Sequence, residues 1–124
     1  EFIVKKILII EDNTILADNF EIILRSNFLI SKVNSAQKAI LEIDRSLPDL
    51  IFLDILLEGH SAFTLLNELQ SYTDTAKIPV VICSDLASEI DFESLKLFNV
   101  CHIFDKSQVS PKEIRTKIKE ILDE

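Results

Sequence analysis

The sequence is poor in the residues from which many catalytic and binding motifs are built. It has one glycine, two cysteines, two histidines, and no methionine or tryptophan. With Gly59 as its lone glycine, it contains no glycine-rich loop that could cradle a nucleotide or flavin phosphate. The cysteines and histidines lack the spacing of a zinc site, and Ser84, His60 and His102 form no recognisable hydrolase set. Any chemistry must therefore come from other residue types.

Positive charge and long apolar runs are also scarce. The formal net charge of −8 repels phosphate backbones, so we expect no direct binding to nucleic acid. No apolar run approaches the roughly 18 residues that span a membrane, so we expect no membrane insertion. The short basic and apolar start ends in acidic residues, which is unlike the cleavage site of a signal peptide.

The composition is typical of one globular domain. Apolar residues make up 48% of the 124 residues, enough for a core, and we assign residues 1–124 to a single domain in which residues 1–2 carry no weight. Cys83 and Cys101 lie in apolar segments and are expected to be small buried side chains in a reducing compartment. This predicts a cytoplasmic protein.

Short apolar runs predict five strands. The runs at residues 7–10, 50–53 and 80–83 are almost purely apolar, which is typical of strands that are covered on both faces. The runs at residues 29–33 and 101–104 contain polar side chains and are expected at the edges of the sheet. The sequence therefore predicts three central and two edge strands.

Apolar residues at helical spacing predict five helices, one after each strand. The first is expected from about Thr14 to Ser26. The fourth is the least regular and is marked by Leu86, Ile90 and Leu95. The last begins in the segment 110–113, where a serine, a proline and a glutamate have the order of a capping box.

This alternation, (βα) repeated five times, predicts an α/β fold with a doubly wound, five-stranded parallel sheet. Right-handed crossovers and the three apolar strands favour the strand order 2-1-3-4-5. Ligands bind such sheets beyond the carboxyl ends of the strands, beside the first strand. The residues that follow each strand are therefore the candidates for a functional site.

Acidic and polar residues follow these strands. Glu11 and Asp12 follow the first strand, Asp54 the third, Ser84 the fourth and Lys106 the fifth. Two carboxylates about 4 Å apart repel each other by roughly 4 kcal/mol at an effective dielectric constant near 20, and a divalent cation relieves that repulsion. Hard oxygen ligands favour Mg²⁺ (or Mn²⁺), which usually acts on a phosphoryl group when few carboxylates hold it.

A phosphoryl group in this pocket would meet three suitable side chains. Asp54 is placed to act as the nucleophile, which would give an aspartyl phosphate. Lys106 suits the phosphoryl oxygens as a point charge, and Ser84 suits them as a hydrogen-bond donor.

Two segments and two single residues carry a family resemblance. The segments are Ile7-Leu-Ile-Ile-Glu-Asp-Asn13 and Pro48-Asp-Leu-Ile-Phe-Leu-Asp54, and Ser84 and Lys106 follow Asp54 by 30 and 52 residues. In these features the whole chain resembles the receiver domain of two-component response regulators. The resemblance implies the (βα)5, flavodoxin-like topology of that family.

The resemblance also implies a phosphoacceptor site. Asp54 would take a phosphoryl group from a histidine kinase or a histidine phosphotransfer protein. Glu11, Asp12, Asp54 and the backbone carbonyl of Leu56 would bind Mg²⁺.

Ser84 and Lys106 would bind the phosphoryl group and so switch the face formed by helix 4, strand 5 and helix 5, numbered as the predicted elements. A homodimer through that face is a further expectation. Five positions depart from the family pattern: Ile103 replaces the usual aromatic switch residue, Ser107 the usual proline, and Asp85 a small residue. Glu58 replaces a loop proline and Ala62 a glycine. Asp85 is expected either in solvent or as a gate to the pocket.

Three functions compete at this point. The first is a phosphorylatable signalling domain that is not an enzyme acting on a separate substrate. The second is a pseudo-receiver, a protein-interaction module of the same fold without phosphorylation. The third is a small Mg²⁺-dependent phosphatase, which is disfavoured because Asp54 is followed by Ile55 and Leu56 instead of a second aspartate, and because no separate general acid is evident.

Overall fold

The computed structural model describes residues 3–54, 61–85, 88 and 90–123. In chain order, the elements are β1 (Lys6–Ile10), α1 (Thr14–Leu24), β2 (Leu29–Val33), α2 (Ala36–Arg45), β3 (Leu50–Leu53), α3 (Ser61–Gln70), α4 (Thr73–Ala76), β4 (Val80–Ser84), α5 (Phe92–Leu95), a 3₁₀ turn (Lys96–Phe98), β5 (Val100–Asp105) and α6 (Pro111–Asp123).

The five strands form one parallel sheet in the order β2-β1-β3-β4-β5. This confirms the predicted fold class, the strand order and the two edge strands. Parallel neighbours cannot be joined by a hairpin, so each connection carries at least one helix across a face of the sheet. All five strands therefore end at the same edge, and the residues after them lie together.

Two apolar clusters, one on each face of the sheet, make up the core. In β1, Leu8 and Ile10 contribute to the cluster beneath α2 and α3, whereas Ile7 and Ile9 contribute to the cluster beneath α1 and α6. All four side chains are fully buried. Because successive side chains of a strand point to opposite faces, a strand covered on both faces has to be apolar throughout.

Local capping signals define the ends of two helices. The Asn13 side chain accepts a hydrogen bond from the backbone N of Leu16 (3.1 Å) and caps α1. This helix ends at Leu24, two residues before the predicted end at Ser26. At α6, the backbone N of Glu113 donates to Ser110 Oγ (3.1 Å), and Glu113 Oε1 accepts from the backbone N of Ser110 (2.9 Å). The predicted capping box is therefore confirmed.

The helices on either side of β4 differ from the prediction. The short helix α4 was not predicted, because four polar and small residues show no apolar period. Within the predicted fourth helix, the described residues from Asp91 onward form α5, which begins after the Asp91 cap, and then the 3₁₀ turn. Asn99 ends that turn with φ of 61°, and Leu86 lies outside the described residues.

Burial differs between the two cysteines. Cys83 is buried in the central strand β4, as predicted, but Cys101 is exposed. The prediction for Cys101 was wrong because β5 is an edge strand, where one side of the strand meets solvent. Over the part of the chain that the structure describes, no helix has the length and apolar character needed to cross a membrane.

Candidate functional site

Two buried carboxylates lie where the central strands end. The backbone N of Glu11 donates to the carbonyl of Val33 (3.1 Å), and that of Asp54 donates to the carbonyl of Ile10 (3.0 Å). The inter-strand ladder thus continues one residue beyond β1 and β3 and holds both acids rigidly. Glu11 is 3% exposed and Asp54 is 5% exposed.

A third carboxylate completes an acidic cluster. Asp12 is exposed, but one carboxylate oxygen from each of Glu11, Asp12 and Asp54 lies within 4.8 Å of the others. This spacing brings together the three acids that the sequence pointed to. Acid clusters of this kind can bind a hard divalent cation, because oxygen ligands and a net negative charge suit such an ion.

Lys106 joins the two buried acids. Its Nζ lies 3.1 Å from Glu11 Oε1 and 3.2 Å from Asp54 Oδ2. Its backbone N donates to the carbonyl of Ser84 (3.0 Å), and Ser84 itself is fully buried. We call Glu11, Asp12, Asp54, Ser84 and Lys106 the acidic site.

The charges of this site are only partly balanced. Burial raises the pKa of Glu11 from 4.5 to about 7, and the charge of Asp54 adds to that rise, against the opposing bonds from Asn13 and Lys106. Burial alone would lower the pKa of Lys106, but its bonds to Glu11 and the charge of Asp54 outweigh burial and raise it. One ammonium between two buried carboxylates leaves a surplus of negative charge, which a cation could neutralise.

The other residues singled out in the sequence have different surroundings. Ile103 is half-buried and packs, with Phe98, against the apolar cluster on the α2 and α3 side of the sheet. Asp85 is exposed in the turn after β4. His102 lies on β5, with its ring centroid 4.6 Å from that of Phe104. The predicted backbone ligand, Leu56, lies outside the described residues.

Asn13, which contacts the acidic site, and Asp105, which precedes Lys106, were given no role in the sequence analysis, and Ser107 was noted there only as a departure from the family pattern. The backbone N of Asn13 donates to Glu11 Oε2 (3.2 Å). Asp105 Oδ1 accepts hydrogen bonds from the backbone N of Ser107 (3.0 Å) and from its hydroxyl (2.7 Å). An aspartate two residues before a serine is a recognisable turn pattern. The hydrogen bonds between Asp105 and Ser107, on either side of Lys106, could therefore have been predicted from the sequence.

Comparisons with known proteins agree on one family. Residues 7–119 match the family model of the response regulator receiver domain. The regulatory protein VanR of Enterococcus faecium is 33% identical over 87 residues, which make up 69% of this chain and 36% of VanR. The chain thus spans about a third of the length of that curated relative.

Solved structures share the fold. A CheY-like response regulator receiver domain from Methylobacillus flagellatus superposes with a TM-score of 0.82 at 20% identity, covering 96% of this chain and 99% of that one. The receiver domain of the sensor histidine kinase PA1611 from Pseudomonas aeruginosa gives a TM-score of 0.85 at 19% identity, covering 98% and 100%. That crystal structure has a magnesium ion coordinated in its active site cleft.

Proposed function

Because this chain belongs to the response regulator receiver domain family, a class of signalling domain, we propose that it accepts a phosphoryl group on Asp54. The donor is a phosphohistidine of a histidine kinase or of a histidine phosphotransfer protein. The chain is then a signalling domain in which the only chemistry is its own phosphorylation and dephosphorylation. Such donors act in the cytoplasm, and we propose the same location for this protein.

One observation carries the proposal. The ammonium of Lys106 lies between Glu11 Oε1 (3.1 Å) and Asp54 Oδ2 (3.2 Å), at the strand ends where α/β sheets bind ligands. A purely structural site would have little reason to bury two carboxylates around one ammonium, because desolvating these charges costs several kcal/mol per ion. A site that has to bind a doubly charged phosphoryl group needs such an ammonium already in place.

The acidic site also fits Mg²⁺ (or Mn²⁺). Glu11, Asp12 and Asp54 would hold the ion, since one carboxylate oxygen of each lies within 4.8 Å of the others. The magnesium ion in the PA1611 receiver domain supports this assignment. When bound, the ion supplies positive charge for the phosphoryl oxygens. The carbonyl of Leu56 is proposed as a further ligand on the family resemblance alone.

The chemical step is a phosphoryl transfer. A carboxylate oxygen of Asp54 attacks the phosphorus of the phosphohistidine, an oxygen–phosphorus bond forms, and the phosphorus–nitrogen bond breaks. The imidazole leaves with the electron pair and takes a proton from solvent. Lys106, already in contact with Asp54, neutralises charge on the phosphoryl oxygens, and the Ser84 hydroxyl donates a hydrogen bond to one of them.

Phosphorylation would then reach β5 through the main chain. The carbonyl of Ser84 accepts the backbone N–H of Lys106 (3.0 Å), so a shift of Ser84 toward the phosphoryl group displaces the end of β5. We propose that this displacement alters the face formed by α5, β5 and α6, which corresponds to the predicted helix 4, strand 5 and helix 5. A homodimer through that face is one outcome of the change.

Beryllofluoride, a stable mimic of an aspartyl phosphate, tests the proposal. We expect the native chain to bind it with Mg²⁺ and not without, as followed by fluorine NMR. Asp54→Asn should abolish binding, because the amide lacks the anionic oxygen that binds the beryllium. Asp44→Asn, at an exposed carboxylate on α2, is the matched control and should bind normally. A native chain that shows no binding at millimolar Mg²⁺ would refute a phosphoacceptor function.

A pseudo-receiver is the second candidate. It is favoured by Ile103, which packs in an apolar cluster at the position where the family resemblance calls for an aromatic switch residue. In this case the chain would act as a protein-interaction module without phosphorylation. Incubation with acetyl phosphate and Mg²⁺ followed by mass spectrometry separates the two, because a pseudo-receiver gains no phosphoryl group.

A further inference from the structure

The turn after β5 is closed by one aspartate. Asp105 is the last residue of β5 and is half-buried. Its Oδ1 accepts two hydrogen bonds from Ser107, one from the backbone N (3.0 Å) and one from the hydroxyl (2.7 Å). Its carbonyl accepts the backbone N–H groups of Gln108 (3.1 Å) and Val109 (3.0 Å). Lys106 therefore lies in a turn whose flanking residues are hydrogen-bonded to each other.

Lys106 is also held at its two ends. Its backbone N is bonded to the carbonyl of Ser84 (3.0 Å), and its Nζ contacts Glu11 and Asp54. Between these points lies a flexible four-carbon side chain. The direction in which that side chain leaves the backbone depends on the main chain of residues 105–107. The bonds from Ser107 to Asp105 restrict that main chain.

The chemistry of both residues suits this task. A carboxylate that accepts hydrogen bonds from N–H and O–H groups forms stronger hydrogen bonds than a neutral acceptor does. The Ser107 side chain is exposed, yet its hydroxyl donates a hydrogen bond to Asp105. Serine also supplies the backbone N–H for the second bond, which a proline at this position would lack.

We propose that Asp105 and Ser107 are positioning residues for Lys106. They direct its ammonium to the phosphoryl group on Asp54 without contacting either the phosphoryl group or the metal ligands. This inference rests on the proposed phosphoacceptor function and adds two residues to it.

Removing the hydrogen bonds between Asp105 and Ser107 should weaken phosphoryl binding but not the binding of Mg²⁺. At saturating Mg²⁺, we expect beryllofluoride affinity to fall about tenfold in Asp105→Ala, which loses both bonds, and about threefold in Ser107→Ala, which keeps the backbone bond. The affinity for Mg²⁺ without beryllofluoride should stay equal or rise slightly, because Lys106 competes with the cation for Glu11 and Asp54. General damage to the site would instead weaken both affinities, and that result would overturn the inference.

A double-mutant cycle tests the dependence on Lys106. In a Lys106→Ala background, Asp105→Ala should change beryllofluoride affinity less than twofold, since there is no ammonium left to position. If Asp105→Ala lowers beryllofluoride affinity by the same factor with and without Lys106, the inference is overturned. Asp105→Asn keeps a side-chain oxygen acceptor and should recover part of the affinity lost in Asp105→Ala.

Asp49→Ala is the matched control. Asp49 Oδ2 also accepts a backbone N–H, that of Lys6 (2.7 Å), at the opposite ends of the strands. Its removal should lower stability and leave beryllofluoride affinity unchanged. If Asp105→Ala fails to fold, Ser107→Ala decides alone, and an unchanged affinity in that variant overturns the inference. A native chain that does not bind beryllofluoride would refute the proposed function itself, a result distinct from all of these.

Discussion

The acidic site and the β4–β5 connection (residues 85, 88 and 90–99) are stabilised in different ways. In the acidic site, strand ends hold buried charges, and one ammonium is shared between Glu11 and Asp54. In the connection, the four-residue helix α5 buries Leu95 (3% exposed), whereas Leu97 in the following 3₁₀ turn is 80% exposed. The first region depends on the balance of charge, whereas the second depends on a few apolar contacts.

The two regions should therefore respond to different perturbations. A change in pH or in divalent cation alters the charge balance of the acidic site and leaves apolar packing almost untouched. Truncation of a buried apolar side chain does the reverse. Perturbations of each region, made separately, can therefore test whether charge balance or apolar packing stabilises it.

Lys106→Ala should have the largest effect on stability. It leaves two buried carboxylates without their cation, and breaking a buried ion pair in this way costs about 3–5 kcal/mol. We expect that loss in urea unfolding at pH 8 without divalent cations, and a smaller loss at pH 6, where Glu11 can hold a proton. Mg²⁺ should restore part of the stability. Lys112→Ala, at an exposed lysine of α6, should change it by less than about 0.5 kcal/mol.

Leu95→Ala should destabilise the protein by about 2–4 kcal/mol, because it removes a buried side chain from the apolar cluster. Chemical denaturation measures the loss, which should be the same with and without Mg²⁺. Leu97→Ala removes the same atoms from an exposed position two residues later and should cost less than about 0.5 kcal/mol. Equal losses in the two variants would contradict the packing of α5.

The pH dependence of stability should reflect the titration of Glu11. Because burial raises the pKa of this carboxyl to about 7, the native state binds its proton more tightly than the unfolded state does. Its contribution to stability is therefore complete below about pH 4.5 and is lost as the pH rises through about 7, by about 3 kcal/mol. Thermal unfolding without divalent cations from pH 5 to pH 8 measures this loss.

Two variants and a cation provide the controls for this pH profile. Glu11→Gln cannot titrate and should remove the loss. Glu113→Gln should leave it in place, because bonds from Ser110 lower the pKa of the exposed Glu113, and its contribution is lost as the pH falls instead. Saturating Mg²⁺ should favour the native state at higher pH, since the cation and the proton compete for Glu11. A profile that is unchanged in Glu11→Gln would contradict the assignment.

Asn99→Ala should have the smallest effect. Asn99 has φ of 61°, a conformation that costs an alanine about 1–2 kcal/mol. Its side chain also donates to the carbonyl of Lys77 (3.1 Å). Asn99→Gly loses the same hydrogen bond without the steric cost, so the difference in unfolding free energy between the two variants isolates the backbone term. Equal stabilities would show that the left-handed conformation imposes no cost here.

Much of the fold could be predicted from the sequence because its signals are local or periodic. Strands that are buried on both faces have to be apolar throughout, so residues 7–10, 50–53 and 80–83 identified the centre of the sheet. The capping box of α6 is formed by residues within one turn of each other. The meeting of Glu11, Asp54 and Lys106 also followed, because parallel strands end at one edge.

The remaining features depend on contacts between residues that are distant in the sequence. The length of α5 depends on how many of its side chains reach the sheet, and the helical period of the segment could not reveal that number. The pKa of Glu11 depends on burial and on charges that lie 43 and 95 residues away in the sequence, at Asp54 and Lys106. The turn made by Asp105 and Ser107 acquires a role only because folding carries Lys106 to the acidic site. The strand pattern was enough to bring Glu11, Asp54 and Lys106 together, whereas the distances and burial of the folded chain set their charge and orientation, since electrostatic energies depend on both.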